Sequence, residues 1–531
     1  ICILCCLCGC VSRQRFDKTQ LEFTNGAVAA DNGLASEAGV EILRQGGNAV
    51  DAAVATSFAL SVVSSASCGI GGGGFMIIDS PEMEPVALNY RETAPKEVGP
   101  EFYETHDSLK GPDASGIPGT VAGLLAAQEK YGVLTRAQVL APAIRLAIEQ
   151  VEWARSKYKD KIDSFEKRVD KNSTRYFTLC GSGQVDVLNL IAEKGKKGFY
   201  QGGVAEAIVK ATEGHITLVD LLEYSPRWET PLQIDIGDGN TLIGMPPPSS
   251  GGVAIAQIIG LLQRVAPESY TKNDLKYAQA LVESMKHAFA NRAEHMADSA
   301  YVDVPVDELL DSEYLDALAS TISLDKCQNV KSYGSVTVPD DGGTSHLCVV
   351  DSDGMMVSAT ETINTSFGSK VYVEPYGFVL NNEMDDFSSP SGANVYGLRQ
   401  SDKNLPEPGK RPLSSMSPTI IEQNGVPYLA IGASGGPRII SSVVQVLLRI
   451  LWFDDDPNEA VQRHRLHHQW FPDLIYYEED RLPSHVKYHL WNLGNGGHTC
   501  TTIGVVQVIL LEDGVIKPYC DRRKYGKPAG Y

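Results

Sequence analysis

The chain has 531 residues, of which 43% are hydrophobic and 21% charged, a composition typical of a globular protein with a large core. Its 46 basic and 66 acidic residues give a formal net charge of −20. Such a charge repels phosphate backbones, and no basic stripe offsets it, so we expect no nucleic acid partner. An acidic protein that binds an acidic small molecule must place cations locally, which directs attention to arginines near any candidate site.

The first residues are apolar and rich in cysteine. Five of the eleven cysteines lie within the first ten residues, and the other six are scattered singly without zinc-type pair spacing. The apolar run at 1–11 is shorter than the ~20 residues that a membrane-spanning helix needs. We interpret residues 1–24 as the remainder of a signal sequence or membrane anchor, followed by a linker; a frayed terminus is the alternative.

This tail predicts where the protein resides. A single-pass anchor would hold it at the plasma membrane facing the exterior, and the alternative is a secreted protein or one in a vacuolar lumen. The sequon that begins at Asn172 adds weak support for secretion. Probable membrane attachment is therefore a prediction from the tail.

Hydrophobic periodicity predicts the elements of the first half in chain order. A strand at 26–30 leads into alanine-rich helices up to residue 64, and a run of glycines then precedes strands at 75–78 and 86–90. Helical periodicity dominates three later blocks, at 117–162, 204–224 and 274–298. A loop rich in proline and glycine at 246–252 precedes a helix at 253–265.

The second half begins with a change of pattern. Residues 326–343 lack periodicity and end in the polar sequence PDDGG, so we interpret them as a linker. Strands at 346–350 and 355–360, joined by an acidic turn that ends in glycine, predict a hairpin. Further strands at 428–431 and 503–511 indicate a layered α/β structure, with strands at both ends of the chain.

Two glycine-rich motifs offer other functions. The sequence GIGGGG at 69–74 satisfies the dinucleotide pattern literally, but a helix precedes it and a strand follows, the reverse of the order that pattern needs. We therefore expect a place where backbones approach closely. The sequence GASGG at 432–436 fits a serine nucleophile elbow between a strand and a helix, with histidines at 464, 467, 468 and 498 as candidate bases. The chain ahead of it lacks the repeated βα alternation of serine hydrolases of that type. Glycine amides at a helix start also suit an oxyanion.

A set of motifs in a fixed order carries the chemistry. The threonine of DGGTSH at 341–346 opens a predicted strand, which by itself is an ordinary turn. It is accompanied by five other segments: NYRETAP at 89–95, TIN at 362–364, NNEMDDF at 381–387, PLSSMSP at 412–418 and GASGG at 432–436. In sequence and spacing the chain resembles the γ-glutamyltransferases, also called glutathione hydrolases, from about residue 26 to its end.

The resemblance implies a self-cleaving enzyme with the four-layer αββα sandwich of the N-terminal-nucleophile hydrolases. Cleavage between Gly343 and Thr344 would give a large chain, 25–343 after the tail, and a small chain, 344–531, in one catalytic domain. The new N-terminal threonine supplies a hydroxyl nucleophile, and its α-amine, with a reference pKa of about 7.7–8.0, is a suitable base. Thr362 would hold that hydroxyl, and the Gly435 and Gly436 amides would stabilise the oxyanion. No metal or cofactor is implied.

The resemblance also implies how the substrate is bound. A zwitterionic head group needs partners of both signs, and a planar guanidinium suits a carboxylate. The implied residues are Arg91, Ser414 and Ser415 for the α-carboxylate, and Glu383, Asp386 and Asn364 for the α-amino group. Taken singly, each has a plainer interpretation as a surface charge, a solvated loop or a turn. The resemblance leaves open whether the pocket is covered near Ser366, where members vary between tyrosine and smaller residues.

The expected partners are glutathione and other γ-glutamyl compounds, with water, amino acids or dipeptides as acceptors. An acylase for other amides, such as glutaryl side chains, is a rival interpretation, which would not need Arg91 and Asp386 as an amino-acid clamp. A second rival is a surface binding protein that keeps the fold and never matures.

Overall fold

The computed structural model describes residues 21–158, 175–265, 275–328, 343–388, 394–398, 400–479 and 481–531. Its α-helices in these ranges are α1 (Gly33–Arg44), α2 (Ala49–Val63), α3 (Thr120–Tyr131), α4 (Arg136–Tyr158), α5 (Arg175–Lys194), α6 (Lys197–Tyr200), α7 (Gly203–Ala211), α8 (Leu218–Glu223), α9 (Gly251–Arg264), α10 (Leu275–His295), α11 (Val306–Leu310), α12 (Ser312–Thr321), α13 (Arg438–Leu451), α14 (Pro457–Gln462) and α15 (Ser484–Asn492). Its strands are β1 (Gly26–Ala30), β2 (Gly73–Ser80), β3 (Met83–Asn89), β4 (Arg227–Glu229), β5 (Leu232–Gly237), β6 (Asn240–Gly244), β7 (Thr344–Asp351), β8 (Met356–Thr362), β9 (Tyr372–Val373), β10 (Phe378–Val379), β11 (Thr419–Gln423), β12 (Val426–Ser434), β13 (Leu466–His467), β14 (Ile475–Glu478), β15 (Gly497–Cys500), β16 (Val505–Glu512), β17 (Val515–Cys520) and β18 (Ala529–Gly530).

Two antiparallel sheets form the centre of the molecule. One has the order β18-β1-β7-β8-β2-β3-β4, and the other has the order β17-β16-β12-β11-β6-β5. Strand residues alternate between the two faces of the first sheet: Val28 packs with the helices, whereas Ala27 and Ala29 pack toward the second sheet. Strand β12 lies against β7 and β8 across the interface between the sheets.

Helices cover the outer face of each sheet. Helices α1 to α5 share a core with the seven-stranded sheet, while α9, α10 and α13 share one with the six-stranded sheet. The order helix, sheet, sheet, helix confirms the predicted αββα sandwich.

Helix α2 precedes the glycine run at 69–74, where the sequence predicted that two backbone segments approach closely. A capping box at its start satisfies backbone groups, because the Asn48 side chain accepts from the Asp51 amide and the Asp51 carboxylate accepts from the Asn48 amide. Its residues from 49 to 62 are all buried, as expected of a helix that is apolar on every side. The glycines that follow lead into β2, and a Cβ on Gly72 would lie 2.0 Å from the Thr362 carbonyl oxygen. The motif therefore serves backbone packing.

Several strands of the second sheet were not predicted from the sequence. Strands β5, β6, β11 and β17 have 5 or 6 residues each, and β5 is mostly half-buried or exposed. Such short segments carry little periodicity, so their pairing depends on neighbours that are distant in sequence.

Residues 1–20 of the predicted tail (1–24), the sequon at Asn172 and most of the predicted linker lie outside the described residues. Within the described ranges, the helices are either too short or too polar to cross a bilayer.

Candidate active site

The β7–β8 hairpin places Thr344 opposite Thr362, and both side chains are buried. The two hydroxyl oxygens lie 3.2 Å apart. Thr362 Oγ1 donates to the Gly343 carbonyl oxygen at 2.7 Å and accepts from the Asn364 amide at 2.8 Å. Because the single proton of Thr362 goes to Gly343, the Thr344 hydroxyl is the donor between the two threonines.

Only a glycine fits before Thr344. A Cβ on Gly343 would lie 1.7 Å from the Asn364 carbonyl oxygen. Asn364 has a φ of 71°, in the left-handed region that asparagine tolerates, and its side-chain amide donates to the Asn382 carbonyl at 2.9 Å. Asn364 also begins a sequon, Asn364-Thr365-Ser366, and we expect it to be unmodified because its side chain is buried and hydrogen-bonded.

A cavity opens in front of Thr344. Nine of the predicted site residues line it: Arg91, Thr344, Thr362, Asn364, Glu383, Asp386, Ser414, Ser415 and Gly436. Gly435 is adjacent to Gly436 along the chain and is not part of the lining. Residues that are separated by more than 300 positions in sequence thus meet at one place, between β3, β7 and the start of α13.

Arg91 follows β3 and is 1% exposed. Its Nη1 lies 2.5 Å from Glu383 Oε2, its Nη2 donates to Asp386 Oδ2 at 2.6 Å, and its Nε donates to the Pro412 carbonyl at 3.3 Å. Burial lowers the pKa of Arg91, but Glu383, Asp386 and Glu92 together raise it above its ordinary value. The two acids that were predicted to meet a substrate amine therefore contact the arginine itself in this structure.

Ser414 and Ser415 lie against the loop that precedes α9, where Ser414 forms an isolated parallel β-bridge with Ser249. The Ser414 carbonyl accepts from the Ser250 amide at 2.8 Å and from the Ser250 hydroxyl at 2.7 Å. Ser415 Oγ accepts from Arg292 Nη2 at 3.4 Å. Arg292 lines the cavity and was missed in the sequence, because it lies inside α10 without a local motif.

Strand β12 ends at Ser434 and α13 begins at Arg438, which is the predicted order of strand, turn and helix. Gly435 and Gly436 make the turn with φ values of 143° and 54°, a region that favours glycine. This geometry brings the backbone of Gly436 to the cavity wall at the N-terminal end of a buried helix, where donors to an anion are expected.

Ser434 points away from the cavity. Its hydroxyl donates to Asp31 Oδ2 at 2.9 Å, and Lys524 Nζ lies 3.4 Å from it. In the described part of the chain no histidine is hydrogen-bonded to Ser434; His467, for example, contacts Ser441. The serine-hydrolase alternative therefore lacks a base in this structure.

We expect Ser434→Ala to keep most of the wild-type turnover, because the serine side chain is hydrogen-bonded to Asp31 and does not line the cavity, whereas Gly436 does. Initial rates with a γ-glutamyl anilide would measure this. A folded variant that cleaves normally at residue 343 and yet is inactive would instead favour the serine-hydrolase interpretation.

Tyr396 also lines the cavity. Its hydroxyl donates to the Asn364 carbonyl at 2.9 Å, and its ring packs over Gly436, where a Cβ would lie 3.1 Å from a ring carbon. A tyrosine from a different loop thus lines the cavity beside Asn364, while Ser366 is exposed.

A threonine at the start of a central strand, facing a cavity inside an αββα sandwich, defines an N-terminal-nucleophile hydrolase architecture. The fold is shared by the cephalosporin acylase from Bacillus halodurans, with a TM-score of 0.81 at 24% identity over 98% of each chain.

The sequence comparisons identify the family. The Gamma-glutamyltranspeptidase family model matches residues 35–531. The glutathione hydrolase proenzyme of Pseudomonas aeruginosa is 39% identical over 475 residues, which cover 85% of this chain and 85% of that protein. Glutathione hydrolase 2 of Arabidopsis thaliana is 37% identical over 545 residues, which cover 96% of this chain and 94% of that protein. The chain belongs to the gamma-glutamyltranspeptidase family, and it is an enzyme of γ-glutamyl transfer and hydrolysis.

Proposed function

We propose that the chain is a glutathione hydrolase and γ-glutamyltransferase that cleaves itself before Thr344 and then uses that threonine as its nucleophile. The observation that carries the proposal is the cavity in which Thr344 lies together with Arg91, Glu383 and Asp386. Two relatives that are named glutathione hydrolases support the choice of glutathione as substrate.

Cleavage begins at the Gly343–Thr344 peptide. The Thr344 hydroxyl attacks the Gly343 carbonyl carbon, the bond to the Thr344 nitrogen breaks, and a proton passes to that nitrogen, which leaves an ester. Water then hydrolyses the ester to a Gly343 carboxylate and a free Thr344 amine. Thr362 supports this step, because it accepts from the Thr344 hydroxyl and donates to the carbonyl under attack.

Turnover repeats this chemistry on a substrate. The free α-amine of Thr344 takes the hydroxyl proton, and the hydroxyl attacks the γ-carbonyl of a γ-glutamyl amide. The Gly435 and Gly436 amides stabilise the oxyanion, and the loss of one such donor typically costs about 2.7–4 kcal/mol of activation free energy. The acyl group then passes to water, or to an amino acid or dipeptide.

Arg91 and the two serines at 414 and 415 bind the α-carboxylate of the substrate. Glu383, Asp386 and Asn364 then bind its α-amino group, so that the acids exchange part of their contact with Arg91 for the ammonium.

A denaturing gel and N-terminal sequencing test the proposal directly. We expect purified protein to run as two fragments, the smaller of which begins at Thr344, and to convert glutathione into glutamate and cysteinylglycine. A single band without turnover would contradict the proposal and favour a binding protein that keeps the fold.

A further inference from the structure

A second buried arginine lies in the wall of the cavity. Arg292 is 3% exposed and lines the same cavity as Thr344 and Arg91. Its Nε donates to Ser250 Oγ at 3.0 Å, and its Nη2 donates to Ser415 Oγ at 3.4 Å. Its Nη1 is buried and has no hydrogen-bond partner among the described residues.

The two arginines differ in their partners. Arg91 contacts the carboxylates of Glu383 and Asp386, whereas no described carboxylate lies within ion-pair distance of Arg292. Burial lowers the pKa of Arg292 to about 10; the charge of Asp386 raises that pKa and the charge of Arg91 lowers it. A buried cation without a carboxylate is costly, so an anion that enters the cavity gains more from Arg292 than from an arginine that is already neutralised.

The hydrogen bonds from Arg292 make two serine hydroxyls acceptors, so the proton of each hydroxyl points away from the arginine. The Ser250 hydroxyl accepts from Arg292 and donates to the Ser414 carbonyl at 2.7 Å. The Ser415 hydroxyl accepts from Arg292, so its own proton is free to point elsewhere. Since Ser415 lines the cavity, an anion there would receive that proton as a hydrogen bond.

We propose that Arg292 is a positioning residue of the carboxylate subsite: it holds the Ser415 hydroxyl as a donor and adds a second positive charge for the α-carboxylate of the substrate. This inference rests on the function proposed above, in which the substrate carries an amino-acid head group. It assigns a role to a side chain that no motif in the sequence marks.

Three competitive inhibitors separate the carboxylate from the rest of the head group. L-glutamate carries the α-carboxylate and the α-amine, glutarate lacks the amine, and 4-aminobutyrate lacks the α-carboxylate. Their inhibition constants are measured against hydrolysis of a γ-glutamyl 4-nitroanilide by wild type, Arg292→Met and Arg292→Lys. In the methionine variant we expect the constants for L-glutamate and glutarate to rise about tenfold to a hundredfold. The constant for 4-aminobutyrate should stay within about twofold, and lysine should restore part of the loss, because it keeps the charge.

A purely structural role would raise all three constants together, and that result, like unchanged constants, would overturn the inference. If the methionine variant does not fold, a double-mutant cycle of Arg292→Lys with Ser415→Ala still tests whether Arg292 acts through Ser415. We expect Arg292→Lys to raise the inhibition constant for L-glutamate less in the Ser415→Ala background than in the wild type. Equal effects of the lysine in the two backgrounds would contradict the inference.

The wild-type enzyme reports separately on the proposed function. If it hydrolyses no γ-glutamyl anilide, or binds 4-aminobutyrate as tightly as L-glutamate, the proposed substrate is wrong and the inference fails with it. If the wild type binds L-glutamate more tightly than 4-aminobutyrate and the Arg292 variants keep the same preference, only the role of Arg292 is wrong.

Discussion

Replacing Thr344 with alanine should leave one uncut chain without measurable turnover of γ-glutamyl substrates. Alanine removes the hydroxyl that lies 3.2 Å from Thr362 Oγ1, and with it the nucleophile for both the self-cleavage and the later reaction. A denaturing gel measures the first effect, and anilide hydrolysis measures the second.

Thr344→Ser is the matched control, because it keeps a hydroxyl at the same backbone position. We expect it to cleave and to retain some turnover. An uncut alanine variant with full turnover would show that the nucleophile lies elsewhere.

Replacing Arg91 with lysine should lower kcat/KM for a γ-glutamyl anilide about tenfold to a hundredfold. Lysine keeps the charge but removes the planar fork, and hydrogen bonds to charged groups contribute roughly 1.5–3 kcal/mol. The structure shows what is lost on the protein side as well, since Arg91 bridges Glu383, Asp386 and the Pro412 carbonyl. Steady-state kinetics measure the change.

Cleavage before Thr344 should proceed normally in Arg91→Lys, because that reaction uses Thr344, Thr362 and the Gly343–Thr344 peptide and needs no substrate carboxylate. This makes processing an internal control for folding. If the variant is processed and hydrolyses the anilide at the wild-type kcat/KM, the carboxylate clamp is wrong. The acylase interpretation would then gain support, and hydrolysis of a glutaryl anilide would test it.

The parts of the fold that the sequence predicted are those with strong local signals. The bounds of β1 match the predicted strand, and the hairpin of β7 and β8 was expected from its alternation and its glycine-ended turn. Helix α9 begins within two residues of the predicted position, and α13 follows the GASGG motif as predicted. The short strands of the second sheet lacked such signals, because their stability comes from cross-strand neighbours.

The residues of the candidate site likewise fall into those that sequence motifs predicted and those that only the folded chain reveals. Residues inside ordered motifs were predicted, and the structure brings nine of them to one cavity. Arg292 and Tyr396 were not predicted, because one lies inside a long helix and the other in a short loop, and only the folded chain places them beside Ser415 and Gly436. The ion pairs of Arg91 with both acids are likewise a property of the folded chain, which a motif does not reveal.

The strand orders determine how the two pieces from the proposed cut at residue 343 would be held together. In the first sheet β1 lies between β18 and β7, and β8 pairs with β2, while in the second sheet β11 pairs with β6. Pieces from either side of the cut are therefore interleaved, and pulling them apart would break both sheets. The intact chain folds as one molecule, with its halves held at the high effective concentration of a covalent link. If the chain is cut there as proposed, recovery from denaturation would require an encounter between two molecules, and its rate would depend on protein concentration. The cut enzyme would then keep a structure that only the uncut chain reaches in a unimolecular way.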